Sequence, residues 1–212
     1  HELKTPLSSL REGADLLADQ VTGHLSQQQL EIVEIVRQNG IELQRLIENL
    51  IDYNRLPGQE LTFEEFPLED LWQELLGNYS LSMEKKALRL TRHNEVVNWV
   101  ADRDKLKTSL DNLLSNAVNY APENGEVDIV CGSDSGTLVI DVANSGQPIP
   151  NEDRERVFEP FFQSVAKRTG PIKGSGIGLS VARECIEAQG GTLSLTDHPH
   201  LPICFRLTCP AH

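Results

Sequence analysis

The chain has 212 residues, 39% hydrophobic and 24% charged, a globular composition with room for a small interaction module plus one domain with a real core. Its formal charge of -13 opposes binding of DNA, RNA or an anionic membrane through a broad basic surface. No apolar run approaches the roughly 18 residues of a transmembrane helix, and no signal-peptide pattern opens the chain.

The chain opens with His1-Glu2-Leu3-Lys4-Thr5-Pro6-Leu7. Leu3, Leu7, Leu10, Ala14, Leu17 and Val21 alternate steps of four and three, the period of a helix with one packed seam. At about 100° per residue, His1 and Thr5 fall roughly 160° from the centre of that seam and face outward. An outward imidazole is largely neutral near pH 7 and can act as a nucleophile, Glu2 can orient its proton, and Thr5 lies one turn on. Pro6 removes a helical N–H and predicts a local bend. A surface histidine on an amphipathic helix is the simpler reading of these residues alone. A zinc-protease motif is excluded, because H-E-x-x-H needs histidine where Thr5 stands.

This helix is expected to end between Asp19 and Thr22, with a turn at Gly23-His24-Leu25-Ser26. Ser26 and Gln29 form a capping-box pattern for the next helix. Ile32, Val36, Leu43, Leu46, Leu50 and Tyr53 continue the seam, interrupted by Asn39, to about Arg55. Such a hairpin cannot bury its apolar faces alone, so a homodimeric four-helix bundle is expected, the alternative being a hairpin packed on the following domain. The second helix outruns the first by about seven residues, roughly 10 Å. More helix is therefore expected before His1, and the chain reads as a fragment.

Leu56-Pro57-Gly58-Gln59 reads as a linker, dividing the chain into residues 1–56 and 57–212. Beyond it, strands are predicted over 61–66, 88–92, 96–100, 126–132, 137–144, 193–196 and 204–208. Helices are predicted from Pro67 to about Lys86, over 102–121, in a short piece over 151–156, and from the glycines near 174–178 to about Gln189. The expected class is α+β, a helical hairpin followed by a two-layer sandwich with helices on one face of a mixed sheet. Cys131, Cys185, Cys204 and Cys209 contain no C-x-x-C pair and are read as reduced thiols.

Gly174-Ser175-Gly176-Ile177-Gly178-Leu179 precedes a helix, where free N–H groups and the helix dipole favour phosphate oxygens. Its spacing is neither a Rossmann nor a P-loop pattern, and a plain helix-entry loop is the alternative. Asn112 and Asn116 lie four apart on one helix face, with Leu113, Leu114 and Ala117 turned more towards the core. Amide oxygens suit Mg²⁺ that keeps water and shares phosphate oxygens; polar surface is the alternative.

His1 to Pro6 resembles the H box of bacterial two-component sensor histidine kinases, and Asn112 to Tyr120 their N box. Asn144-Ser145-Gly146 is similar to their first glycine box, Phe158-Glu159-Pro160-Phe161-Phe162 to the F box, and Gly174 to Leu179 to the second glycine box. All five occur in the family's order. The resemblance implies a dimerisation and histidine-phosphotransfer hairpin followed by an ATP-binding domain of the GHKL (Bergerat) type shared with gyrase, Hsp90 and MutL. It implies ATP and Mg²⁺ as cofactors, with Asn112 on the metal, Asn116 and Tyr120 on the phosphate and ribose side, Asn144 and Gly146 near the base, and Gly174, Gly176, Gly178 and Leu179 at the phosphates. Gln163 to Lys173 would be a lid offering Arg168 or Lys173 to the γ-phosphate. His1 would take the phosphoryl group with help from Glu2 and pass it to a response-regulator aspartate, and Thr5 would serve the reverse dephosphorylation. The setting implied is the cytoplasmic portion of an inner-membrane sensor, a homodimer without nucleic-acid or membrane contacts of its own.

The chain departs from the family at Asn144, where aspartate is usual, at Pro148 in place of a glycine, and at Asn119, where a basic residue is common. A degenerate kinase that only binds or dephosphorylates a regulator is the first rival. A gyrase-like ATPase is the second, and it gives no reason for the hairpin.

Overall fold

The computed structural model describes residues 4–21, 23–55, 60–164 and 176–212. It divides into two compact units, His1–Asn54 and Arg55–His212.

The first unit is a pair of helices, α1 (Lys4–Ala18) and α2 (Gln27–Arg55). The left-handed backbone of Gln20 (φ 55°) and Gly23 (φ 127°) turns the chain between them. The capping box forms as expected. Ser26 N donates to Gln29 Oε1 at 2.8 Å and Gln29 N to Ser26 Oγ at 3.3 Å, satisfying N–H groups that the first turn cannot pair internally. Asn39 donates back to the Ile35 carbonyl at 2.8 Å, and Arg37 reaches Asp15 across the pair at 3.9 Å. Ala14 is buried, whereas Leu10, Val21, Ile32, Val36 and Leu43 are exposed.

The second unit begins with β1 (Phe63–Pro67), followed by α3 (Leu68–Lys85), β2 (Arg89–Asn94), β3 (Asn98–Asp102) and α4 (Arg103–Tyr120). The hairpin β4 (Glu126–Asp134) and β5 (Thr137–Asn144) comes next, then α5 (Gly178–Glu187), β6 (Thr192–Thr196) and β7 (Ile203–Pro210). Positive φ at both Ser135 (48°) and Gly136 (78°) gives the β4–β5 turn a twist that matches its strands.

The strands form two sheets among the described residues, a five-stranded one in the order β2-β4-β5-β7-β6 and a separate antiparallel pair, β1-β3. Alternation marks Leu61 to Phe66 as extended but carries no information about which sheet receives it. In the large sheet β2 runs parallel to β4 and the other pairs are antiparallel, so the sheet is mixed as expected. The helix expected over 151–156 is instead two short 3₁₀ turns, Asn151–Asp153 and Arg156–Phe158. The stretch between Pro150 and Pro160 is too short to repay the cost of nucleating an α-helix.

Period-two alternation puts Leu138, Ile140 and Val142 of β5 and Ile203, Phe205, Leu207 and Cys209 of β7 on the inner face, under α3, α4 and α5. Trp72, Leu68, Leu71 and Leu75 of α3 are wholly buried there, each side chain contributing about 1.5–3 kcal/mol. The opposite face carries the paired Arg206–Asp141 fork at 2.7 Å and a small cluster of Ala143, Leu201 and Cys204. All four cysteines are free and buried.

Candidate functional site

α4 and α5 lie side by side and antiparallel, held at three levels. The Asp102 N–H, at the N-cap of α4, donates to Gln189 Oε1 at 2.7 Å. Ser109 Oγ lies 3.0 Å from the Ala182 carbonyl. One turn on, a Cβ at Gly178, the first residue of α5, would stand 2.6 Å from Asn112 Oδ1. Asp102 caps α4 by accepting from Lys105 N at 3.0 Å, and its other oxygen accepts from Thr62 N at 3.1 Å. Leu113, Leu114 and Ala117 face the core, Asn112 is buried at its margin, and Asn116 is half-buried.

Asn112 Nδ2 donates to the Thr108 carbonyl at 2.9 Å. The amide is thereby oriented, with its oxygen towards the start of α5. Among the described residues no three His, Cys, Asp or Glu side chains are grouped to hold a metal. An oriented amide oxygen is a hard, neutral donor that fits Mg²⁺ only in company with water and phosphate oxygens.

At the far end of α4, Tyr120 meets the end of β5. A Cβ at Gly146 would fall 2.7 Å from Asn144 Nδ2, 2.9 Å from the Tyr120 carbonyl oxygen and 3.2 Å from Ile203 Cδ1. The two groupings are eight residues apart on α4, about 12 Å at 1.5 Å per residue. Asn119 Nδ2 is bonded to Ser115 Oγ at 3.2 Å within the helix.

The phenylalanine-rich stretch and the second glycine stretch meet through backbone. Phe161 N donates to the Gly176 carbonyl at 2.9 Å, and a Cβ at Gly176 (φ +72°) would lie 2.6 Å from the Phe162 carbonyl oxygen. Gly176 is required there on both counts, conformation and space. Phe161 itself is left-handed (φ 66°) and 67% exposed, while Arg156 lies over the Phe162 ring and Arg183 over Phe158, both at 4.3 Å. Leu179 packs partly buried against the core.

Of the other residues singled out in the sequence, His1, Glu2, Arg168, Lys173 and Gly174 lie outside the described residues, and Thr5 is described only as backbone of α1. The sequence reading missed Lys86. Its Nζ donates to the carbonyls of Val118 (2.7 Å), Asn119 (2.9 Å) and Ala121 (3.0 Å), closing the end of α4 beside Tyr120. A lysine is favourable at a helix C-terminus, but no local spacing reveals one supplied from 32 residues away.

This mixed sheet, with its asparagine-bearing helix facing the glycine-opened one, defines a class. The chain belongs to the histidine kinase-, DNA gyrase B- and HSP90-like ATPases, whose family model matches residues 101–212. Residues 1–59 match the His Kinase A (phospho-acceptor) domain, and with that pair of domains the chain is a member of the sensor histidine kinases. Sensor histidine kinase GlrK of Escherichia coli (strain K12) is 42% identical over 212 residues, which is 100% of this chain and 45% of GlrK. The chain thus spans less than half of that relative.

Among solved structures, the catalytic domain of histidine kinase ThkA, nucleotide-free, matches 71% of this chain and 99% of its own with a TM-score of 0.63 and 29% identity. Full-length ShkA in complex with AMPPNP matches 100% of this chain and 44% of its own, with a TM-score of 0.77 and 24% identity, a likeness of fold. No described helix is long and apolar enough to cross a membrane.

Proposed function

We propose that the chain is the catalytic portion of a two-component sensor, transferring the γ-phosphoryl group of ATP to His1 and from there to an aspartate of a response regulator. The observation that carries this reading is the approach of Gly178 to Asn112 at one end of α4 and of Gly146 to Asn144 and Tyr120 at the other, in a chain that opens with a phospho-acceptor match. In this reading residues 1–56 are the dimerisation and phosphotransfer hairpin and 57–212 the ATP-binding domain.

The base sits at Asn144 and Gly146, Asn116 and Tyr120 line the ribose and phosphate side, and the backbone at Gly174, Gly176, Gly178 and Leu179 receives the phosphates. Asn112 would hold Mg²⁺, which supplies neutralising charge to the phosphates when bound. A neutral His1 nitrogen attacks the γ-phosphorus as the bond to the β–γ bridging oxygen breaks. ADP leaves with that electron pair, and Glu2 stabilises the ring proton on the other nitrogen. Arg168 or Lys173 meets the charge on the transferring group, and Thr5 orients water for the reverse removal of phosphate from the regulator.

The exposed seam residues Leu10, Val21, Ile32, Val36 and Leu43 support a homodimer in which two hairpins form a four-helix bundle. The setting proposed is the cytoplasmic side of a membrane sensor.

Incubation with γ-³²P-ATP and Mg²⁺ tests the activity. Acid-labile, alkali-stable label is expected on the unaltered chain and none on His1→Ala. Persistence of the label in His1→Ala, or ATP turnover with no labelled protein, would rule the reading out.

A further inference from the structure

α3 grips α4 at two points, one at each end of the stretch that carries Asn112, Asn116 and Tyr120. At the first, Tyr79 Oη donates to Asp111 Oδ1 at 2.9 Å and lies 3.2 Å from the Asp111 carbonyl oxygen, directly before Asn112. At the second, the three protons of the Lys86 ammonium meet three carbonyls, those of Val118, Asn119 and Ala121 at 2.7, 2.9 and 3.0 Å. Tyr79 and Lys86 are separated by about two helical turns, and so are Asp111 and Val118, so both grips join one face of α3 to one face of α4.

α4 has no basic residue in its last turn, so the positive charge that its carbonyl end favours is supplied by α3. The Lys86 carbonyl also accepts from Asn124 N at 2.8 Å, which ties down the turn that follows. The Tyr120 carbonyl oxygen, flanked by gripped neighbours, lies against Gly146, 2.9 Å from where a Cβ there would fall. Resting on the nucleotide reading above, we infer that Tyr79 and Lys86 are positioning residues for nucleotide binding. Acting through α4 and not on the nucleotide itself, they make α3 a splint that sets the Asn112 end and the Tyr120 end at a fixed spacing. Lys86→Met keeps a side chain of similar length and the backbone bond to Asn124 but removes the three donors, which lets the last turn of α4 move. Tyr79→Phe removes one hydroxyl and frees the start of the stretch to turn about the helix axis.

Titration calorimetry on the 212-residue chain, with ATP and Mg²⁺ and separately with ADP and a chelator, reads the two ends apart. Lys86→Met is expected to weaken both nucleotides about tenfold, the equivalent of one net hydrogen bond at the bound ligand. Tyr79→Phe is expected to weaken ATP with Mg²⁺ about fivefold and metal-free ADP by less than about twofold, because it acts at the Asn112 end. Leu75→Val, in the wholly buried core one turn before Tyr79, loosens α3 without touching either grip. It should lower the unfolding midpoint and leave both dissociation constants unchanged.

A dissociation constant for ATP with Mg²⁺ within about twofold of the unaltered chain in folded Lys86→Met would overturn the inference. So would equal weakening by Leu75→Val, or equal weakening of both nucleotides by Tyr79→Phe. If Lys86→Met does not fold, Tyr79→Phe decides, and unchanged binding of ATP with Mg²⁺ there overturns the inference. Failure of ATP to bind the unaltered chain would remove the nucleotide reading and this inference together, whereas ATP binding that neither variant alters removes this inference alone.

Discussion

Gly178 holds its place in the site through what it lacks. An alanine methyl there would stand 2.6 Å from Asn112 Oδ1, and the short, buried Asn112 side chain, already bonded to the Thr108 carbonyl, has little room to withdraw. Gly178→Ala is expected to turn the amide away and weaken ATP binding about tenfold, about 1.4 kcal/mol. The unfolding midpoint should move by only a few degrees, since one side-chain end yields and the backbone does not. Calorimetric titration and thermal unfolding of the same variant separate the two effects. Residue types and spacing singled out Asn112 and Gly178 in the sequence, and the family resemblance added Asn144 and Gly146. Which atom each presents was not legible. That Asn112 commits its nitrogen to its own helix while the Asn144 nitrogen has no partner depends on packing from β4, β7 and α5.

Elements were read well where a strong period or a cap marks them. α2 starts at its capping box, and α4 occupies 103–120 between Asp102 and Ala121, as its pattern requires. Legibility failed where stability comes from a distant partner. Lys86 was read only as the end of the helix that opens at Pro67, yet it bonds the Val118, Asn119 and Ala121 carbonyls that α4 cannot satisfy itself. Lys86→Met is expected to destabilise the second unit by about 1–3 kcal/mol, the cost of losing charged hydrogen bonds at a helix C-terminus. A urea unfolding curve with unchanged slope and lower midpoint would show it. A midpoint equal to that of the unaltered chain would mean that water replaces the lysine without penalty.

Across the whole molecule, the four cysteines were legible as reduced thiols, and all four are free and buried. Their depth was not legible, because it follows from which face of each strand turns inward. Burial pushes the thiols of Cys131 and Cys204 up to about 12 and that of Cys209 up to about 11. An unfolded thiol ionises near pH 8.5, so the folded chain holds these protons more tightly. Their contribution to stability is full below about pH 8.5 and falls as pH rises towards the folded values, by up to about 1.4 kcal/mol per thiol per pH unit. Urea midpoints at pH 8 and pH 10.5 should show this fall, and Cys131→Ser should make it smaller. Native-state alkylation at pH 8 should remain negligible.

The order of the large sheet has a consequence for biosynthesis. Of the described strands of this sheet β7 comes last in the sequence, yet it lies between β5 and β6. While the nascent chain is emerging from the ribosome, β6 has no neighbour and β5 has an open edge, the kind of exposed ladder that invites aggregation. Residues 203–210 close both gaps in one step, so the helical hairpin can mature early while the second unit waits for β7. Chaperone dependence during translation is therefore expected to concentrate in that interval.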